Sequence, residues 1–137
     1  MINLYTETNF CHDFELEFIN WIENCIKNKD FTFDEINYIF VDDIYLHKMN
    51  MEYLQHDTYT DIITFDYSVA KQLAGDIYVS VDRIRENAEK YEIDFYNELA
   101  RVMIHGVLHL MKYNDHTEDE KKQMRSLEDA CLKGLKF

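Results

Sequence analysis

His105 and His109 stand four residues apart in an apolar-periodic run that closes on Tyr113-Asn114-Asp115-His116. On a helix this spacing puts both imidazoles on one face with Cβ atoms roughly 5–6 Å apart, within reach of a single ion. A third donor from just beyond the helix end, Asp115 or His116, completes a half-open shell. Three protein ligands and one vacant position are the pattern of catalytic zinc, whereas structural zinc is closed by four ligands, often cysteines. Gly106 lies between the histidines, where glycine costs a helix roughly 1 kcal/mol relative to alanine, so close backbone packing or substrate approach is expected there. It also occupies the place of the general-base glutamate in the His-Glu-x-x-His protease motif, so a peptidase would need its base from elsewhere. The plainer reading makes His105 and His109 polar edge residues of a helix that packs through Leu99, Val102, Met103 and Leu110. His12, His47 and His56 have no comparable company and read as surface or capping residues.

The elements that must hold this segment follow from periodicity. Residues 2–6 alternate like a short strand, and Phe14, Phe18, Trp21, Ile22 and Cys25 give 12–28 a helical period. Residues 37–41 read as a strand, and 43–54 as a helix with Ile44, Leu46, Met49 and Tyr53 as core contacts. Residues 61–66 and 76–80 are β-rich neighbours expected to pair, with Ala74-Gly75 suited to the turn or loop between them. Helices are expected over 82–91 and over 95–112, the latter bearing the histidines. A capping box at Thr117 and Glu120 opens a last helix through Met124, Leu127, Cys131 and Leu132, and Gly134 supplies its stop. With no linker, repeat or proline, residues 1–137 make one α+β domain, a roughly four-stranded mixed sheet covered by about five helices, with the metal site at the end of the His-bearing helix.

At 47% hydrophobic and 15% aromatic content, 137 residues suffice for one real core. The N-terminus has no basic region before an apolar stretch and no run reaches membrane-spanning length, so a cytoplasmic protein is expected. Cys11, Cys25 and Cys131 are odd in number and widely spaced, which suits reduced, buried thiols. The net charge of −13 argues against a phosphate-bearing partner until its distribution is considered. Residues 1–66 hold 14 acidic and 3 basic side chains, a balance of −11, while 67–137 hold 13 and 11, a balance of −2. The histidine cluster lies in the nearly neutral half, and a bound divalent ion would raise its potential further.

Residues 98–116, from Glu98 to His116, resemble the signature of the YbeY family, His-Gly-x-Leu-His-Leu-x-Gly-Tyr-Asp-His. Asp57 to Phe65 is similar to a second family segment, Asp-x-x-Thr-Asp/Asn-Val-Leu-Ser/Thr-Phe, and Gly75-Asp76-Ile77 to its Gly-Asp-Ile strand start. The resemblance covers most of 50–132 and implies a zinc-dependent, single-strand-specific bacterial endoribonuclease. Maturation of ribosomal RNA at the 16S 3′ end, ribosome quality control, one Zn2+ per chain and a monomer working with the ribosome or its proteins are implied with it. His105 and His109 become ligands and catalytic residues. Lys112 replaces the glycine before the motif tyrosine, and one residue is inserted, so Asp115 takes the ungapped place of the third ligand while His116 could reach it through a shifted loop.

The family's arginine after Asn-x-x-Tyr is Leu54 here, leaving Arg101, Lys112 and His56 as candidate substrate-binding groups. Thr60, Asp61 and Thr64 are weaker candidates for orienting substrate or water. Two rival readings stand beside the nuclease: a ribosome-associated binding factor with a structural metal, and a small metalloprotease.

Overall fold

The computed structural model describes residues 1–8, 15–55 and 60–135. Its elements run β1 (Ile2–Thr6), α1 (Glu15–Asn28), β2 (Thr32–Val41), α2 (Asp43–Leu54), β3 (Ile62–Asp66), β4 (Gln72–Ser80), α3 (Val81–Lys90), α4 (Phe95–Leu110) and α5 (Glu118–Leu132). The four strands form one mixed sheet in the order β1-β2-β4-β3, with β3 antiparallel and the other pairings parallel.

Strand alternation decides what lies on each face. Ile36, Tyr38 and Phe40 of β2 and Leu73, Ile77 and Val79 of β4 are fully buried on the side that carries α1, α3, α4 and α5. Tyr38 spans that core and donates its hydroxyl hydrogen bond to the Met103 carbonyl of α4 at 2.8 Å. The opposite face holds a smaller cluster of Val41, Leu46, Met49 and Ile63 under α2. Among the described residues, an α+β fold with four strands and five helices is therefore as expected, including the pairing of β3 with β4.

Three local expectations fail for identifiable reasons. Ala74 and Gly75 are inside β4, because Gly75 lies where a Cβ would meet the Phe65 carbonyl oxygen at 2.5 Å; the turn is at Val69–Gln72, whose amides exchange hydrogen bonds while Ala70 takes φ 52°. Strand β2 starts five residues before the expected Asn37, with an irregularity between Phe33 and Ile36. Ile44 and Tyr53 are 69% and 63% exposed, so α2 buries Leu46, Met49 and Asn50, while Tyr53 meets Phe65 of β3 only edge-on, with ring centroids 5.9 Å apart. Cys25 and Cys131 are free, buried thiols, whereas Cys11, His12 and Phe14 lie outside the described residues.

Candidate metal centre

Helix α4 is apolar on nearly every side: Leu99, Val102, Met103, Ile104, Val107, Leu108 and Leu110 are buried, as expected of a helix held between a sheet and other helices. A stripe at four-residue spacing, Arg101, His105 and His109, keeps partial access to solvent. Gly106 explains how the stripe lies so close to the sheet. A Cβ there would stand 3.0 Å from Ile62 Cδ1 and from two carbons of Ile77, so close packing, not substrate approach, accounts for this glycine.

The helix stops in a Schellman arrangement. The Tyr113 amide donates to the Leu108 carbonyl at 3.1 Å and the Lys112 amide to the His109 carbonyl at 2.9 Å, with Lys112 in the left-handed region at φ 75°. This reversal returns the chain over the histidines and places Asp115 beside both rings. Thr117 and Glu120 then form the expected capping box, and α5 runs back past α4 with Met124, Glu128 and Cys131 buried on one side.

Each imidazole is fixed through Nδ1. His105 Nδ1–H donates to Glu128 Oε2 at 2.7 Å, and His109 Nδ1–H to the Tyr113 carbonyl at 3.1 Å. Both Nε2 atoms therefore present lone pairs, 2.9 Å from one another, with Asp115 Oδ2 3.4 Å from His105 Nε2 and 3.6 Å from His109 Nε2. Three converging lone-pair donors repel unless a proton or a cation lies among them. In a tetrahedral shell with ligands at about 2.0–2.2 Å, neighbouring donor atoms stand about 3.3–3.6 Å apart. The two Asp115 separations fall in that range and the histidine pair needs to open by a few tenths of an ångström, so these residues fit a zinc-type ion.

Behind the histidines a charged network holds the rings in place. Arg101 donates from Nη1 to Glu128 at 2.8 Å and from Nη2 to Asp129 at 2.7 Å, so Glu128 accepts from both Arg101 and His105 while 5% exposed. Histidine ligands are commonly oriented by such a carboxylate on the other ring nitrogen. Burial opposes the His105 imidazolium, but the bonded Glu128 and the charges of Asp115 and Asp61 outweigh it and raise its pKa. Burial and the neighbouring His105 lower that of His109. Burial also raises the carboxyls of Asp61 and Glu98. Asp61, Glu98 and His105 open on a cleft of about 310 Å³ that Arg101, Asp115, Arg125 and Glu128 also line, while His109 stands one turn further along α4.

Of the candidate residues, the structure brings together His105, His109 and Asp115; His116 is exposed and stands outside this group. Arg101 is committed to two carboxylates, and Lys112 pairs with Asp66 at the surface. His56 lies outside the described residues. Asp61 lines the cleft, Thr60 donates only a long 3.4 Å bond to the Ile62 carbonyl, and Thr64 sits in β3 opposite Ile77. Glu128 and Arg125 escaped the sequence reading. Glu128 had left a signal, an acid at the second place of the stripe Met124, Glu128, Cys131.

A family model described as Endoribonuclease YbeY matches residues 3–136. The chain is 49% identical over 132 residues to the Endoribonuclease YbeY of Flavobacterium johnsoniae, covering 96% of this chain and 95% of that one. To the protein of the same name from Karelsulcia muelleri it is 46% identical over 136 residues, covering 99% and 96%. Among solved structures, the solution structure of TM1509 from Thermotoga maritima superposes with a TM-score of 0.73 at 26% identity, covering 98% of this chain and 89% of that one.

Proposed function

Because the chain belongs to the endoribonuclease YbeY family, we propose that it cleaves single-stranded RNA with the help of one zinc ion, in ribosomal RNA maturation at the 16S 3′ end and in ribosome quality control. The observation that carries this reading is the convergence of His105 Nε2, His109 Nε2 and Asp115 Oδ2 with both Nδ1 atoms already engaged. A divalent ion held by His105, His109 and Asp115 would supply Lewis-acid chemistry for a phosphodiester.

The chain's own residues do the rest. Glu128 and the Tyr113 carbonyl hold each imidazole in the tautomer that leaves Nε2 free to ligate. Burial holds the carboxyls of Asp61 and Glu98, which line the cleft, above their usual range. The protein acts as a cytoplasmic monomer on ribosome-associated RNA; among the described residues no helix is long and apolar enough to cross a membrane.

A peptidase mechanism is disfavoured by Gly106, whose side-chain direction meets Ile62 and Ile77 of the sheet, so a base at that position would be aimed into the core. The surviving rival is a ribosome-associated factor with a structural metal, supported by the −11 balance of residues 1–66, which suits a basic ribosomal protein.

Metal content and cleavage of a single-stranded oligoribonucleotide, measured on the parent, His109→Ala, Asp115→Ala and His116→Ala, test the assignment. His109→Ala and Asp115→Ala are expected to lose the ion and to drop cleavage by more than about 100-fold, beyond what loss of a ligand's orienting partner costs, with His116→Ala close to the parent. Unchanged metal content in His109→Ala removes the site. A metal-loaded parent that binds ribosomes and leaves RNA whole hands the function to the rival.

A further inference from the structure

Three recesses meet at one side chain. Arg125 lines the cleft of about 310 Å³ that contains His105 and Asp115, a neighbouring recess of about 240 Å³ bounded by His105, Asp115, Lys121 and Met124, and an open groove of about 490 Å³ with Lys122, Ser126 and Lys133. All four basic residues named belong to α5 or to Lys133 at its end, in a chain of net charge −13.

Arg83 pairs with Asp43 at 2.6 Å and Arg101 with Glu128 and Asp129, while the more exposed Arg85 has a looser 4.0 Å contact with Asp82 and lies over the Phe95 ring. Arg125 is exposed, and among the described residues no carboxylate stands within ion-pair distance of it. Two acidic residues that line the same recesses are engaged elsewhere. Asp129 and Glu128 both accept from Arg101. Lys121 has only a 3.7 Å contact with Glu118, both exposed, a pairing worth little. A planar guanidinium with open donors beside a metal triad is suited to a phosphodiester, which it can meet with two parallel bonds.

We propose that Arg125, with Lys121 one turn before it, forms a phosphate-binding subsite of the RNA cleft. It takes the phosphodiester next to the one held at His105, His109 and Asp115, and the strand continues along α5 over Lys122 and Lys133. The proposal rests on the endoribonuclease reading. Arg125 is a binding residue here and takes no part in bond cleavage.

The test uses the metal-loaded protein and a single-stranded oligoribonucleotide, with Arg125→Glu, Arg125→Ala and Arg125→Lys. Arg125→Glu is expected to raise KM about tenfold at low salt with kcat within about twofold of the parent, equally for different base sequences. The slope of log affinity against log salt should become shallower by about 0.7, one single-strand phosphate contact. Arg125→Lys should recover most of the loss, since a point charge still meets phosphate. Unchanged KM and salt slope in Arg125→Glu overturn the subsite while leaving the nuclease standing. If the parent cuts no RNA, the endoribonuclease reading fails, and anisotropy binding still judges the subsite by the same slope.

Discussion

Two arginines on adjacent helices face one cleft in opposite circumstances. Arg101, on the inner wall, is 17% exposed and its guanidinium is engaged by Glu128 and Asp129. Arg125, on the rim, is exposed and meets no carboxylate among the described residues. The inner charge ties α5 to α4 and, through the shared Glu128, fixes the His105 ring. The outer one makes no ion pair among the described residues. In a chain with nearly twice as many acidic as basic side chains, 27 against 14, an arginine left without a partner is the exception, and its location beside the metal triad gives that exception a use. Paired charges in this cleft build it, and unpaired ones serve what enters it.

The largest effect comes from breaking the inner wall. Glu128→Gln keeps the volume but removes the charge that Arg101 and His105 both require, leaving a largely buried guanidinium with one carboxylate fewer. Loss of one partner of a buried ion pair costs about 3–5 kcal/mol, with the exposed Asp129 offsetting part of it. Loss of a ligand's orienting carboxylate weakens metal binding about 10–100-fold. Thermal unfolding without metal and chelator competition with it measure the two effects separately. A variant whose metal affinity matches the parent's would show that Glu128 only fastens helices, and the contrast between the walls would lose its functional half.

Next comes the depth at which α4 sits. Gly75→Ala drives a Cβ to 2.5 Å from the Phe65 carbonyl oxygen and 3.0 Å from Leu110 Cδ2, and a backbone oxygen in a paired strand has nowhere to go. A cost of about 1–3 kcal/mol follows. Gly106→Ala meets only isoleucine side chains, at 3.0 Å, and recovers roughly 1 kcal/mol of helix propensity. Its net effect should be the smaller of the two in urea unfolding. The reverse order would mean that the sheet yields more readily than the isoleucines do, and that the inner wall is not held from behind as described.

What could be read in advance follows the same division. The histidine pair, the capping box at Thr117 and the helical period expected over 95–112 are local patterns, and they survive into the structure, with α4 ending two residues early at Leu110. The Arg101–Glu128–His105 network joins residues 27 and 23 positions apart, so only the crossing of α4 and α5 creates it. Gly75 with its companion Ala74 has the composition of a turn, while its real constraint is a carbonyl from another strand. The true turn offers no composition signal, since Ala70 takes the left-handed position. Asp34 and Glu35 interrupt the apolar alternation at the start of β2, and pairing with β4 extends the strand through them. On α2, an apolar pattern without a clear face left Ile44 and Tyr53 indistinguishable from Leu46 and Met49.

The smallest effect sharpens the comparison from the rim. Lys112 stands in the left-handed region at φ 75°, where a residue with a Cβ pays about 1–2 kcal/mol relative to the right-handed form. Its ammonium pairs with Asp66, yet the Lys112 side chain is 66% exposed, so that pair is worth at most about 1 kcal/mol. Glycine at this position removes the steric cost, loses the pair, and gives back about 0.4–1 kcal/mol to the freer unfolded chain. Lys112→Gly should therefore be slightly more stable than the parent, on the order of 0.5 kcal/mol, with metal affinity unchanged because the Tyr113 carbonyl remains bonded to His109. Urea unfolding resolves the sign. A loss of stability beyond about 1 kcal/mol would make the Lys112–Asp66 pair a structural tie like that of Arg101, and a cation at the rim would then be part of the framework after all.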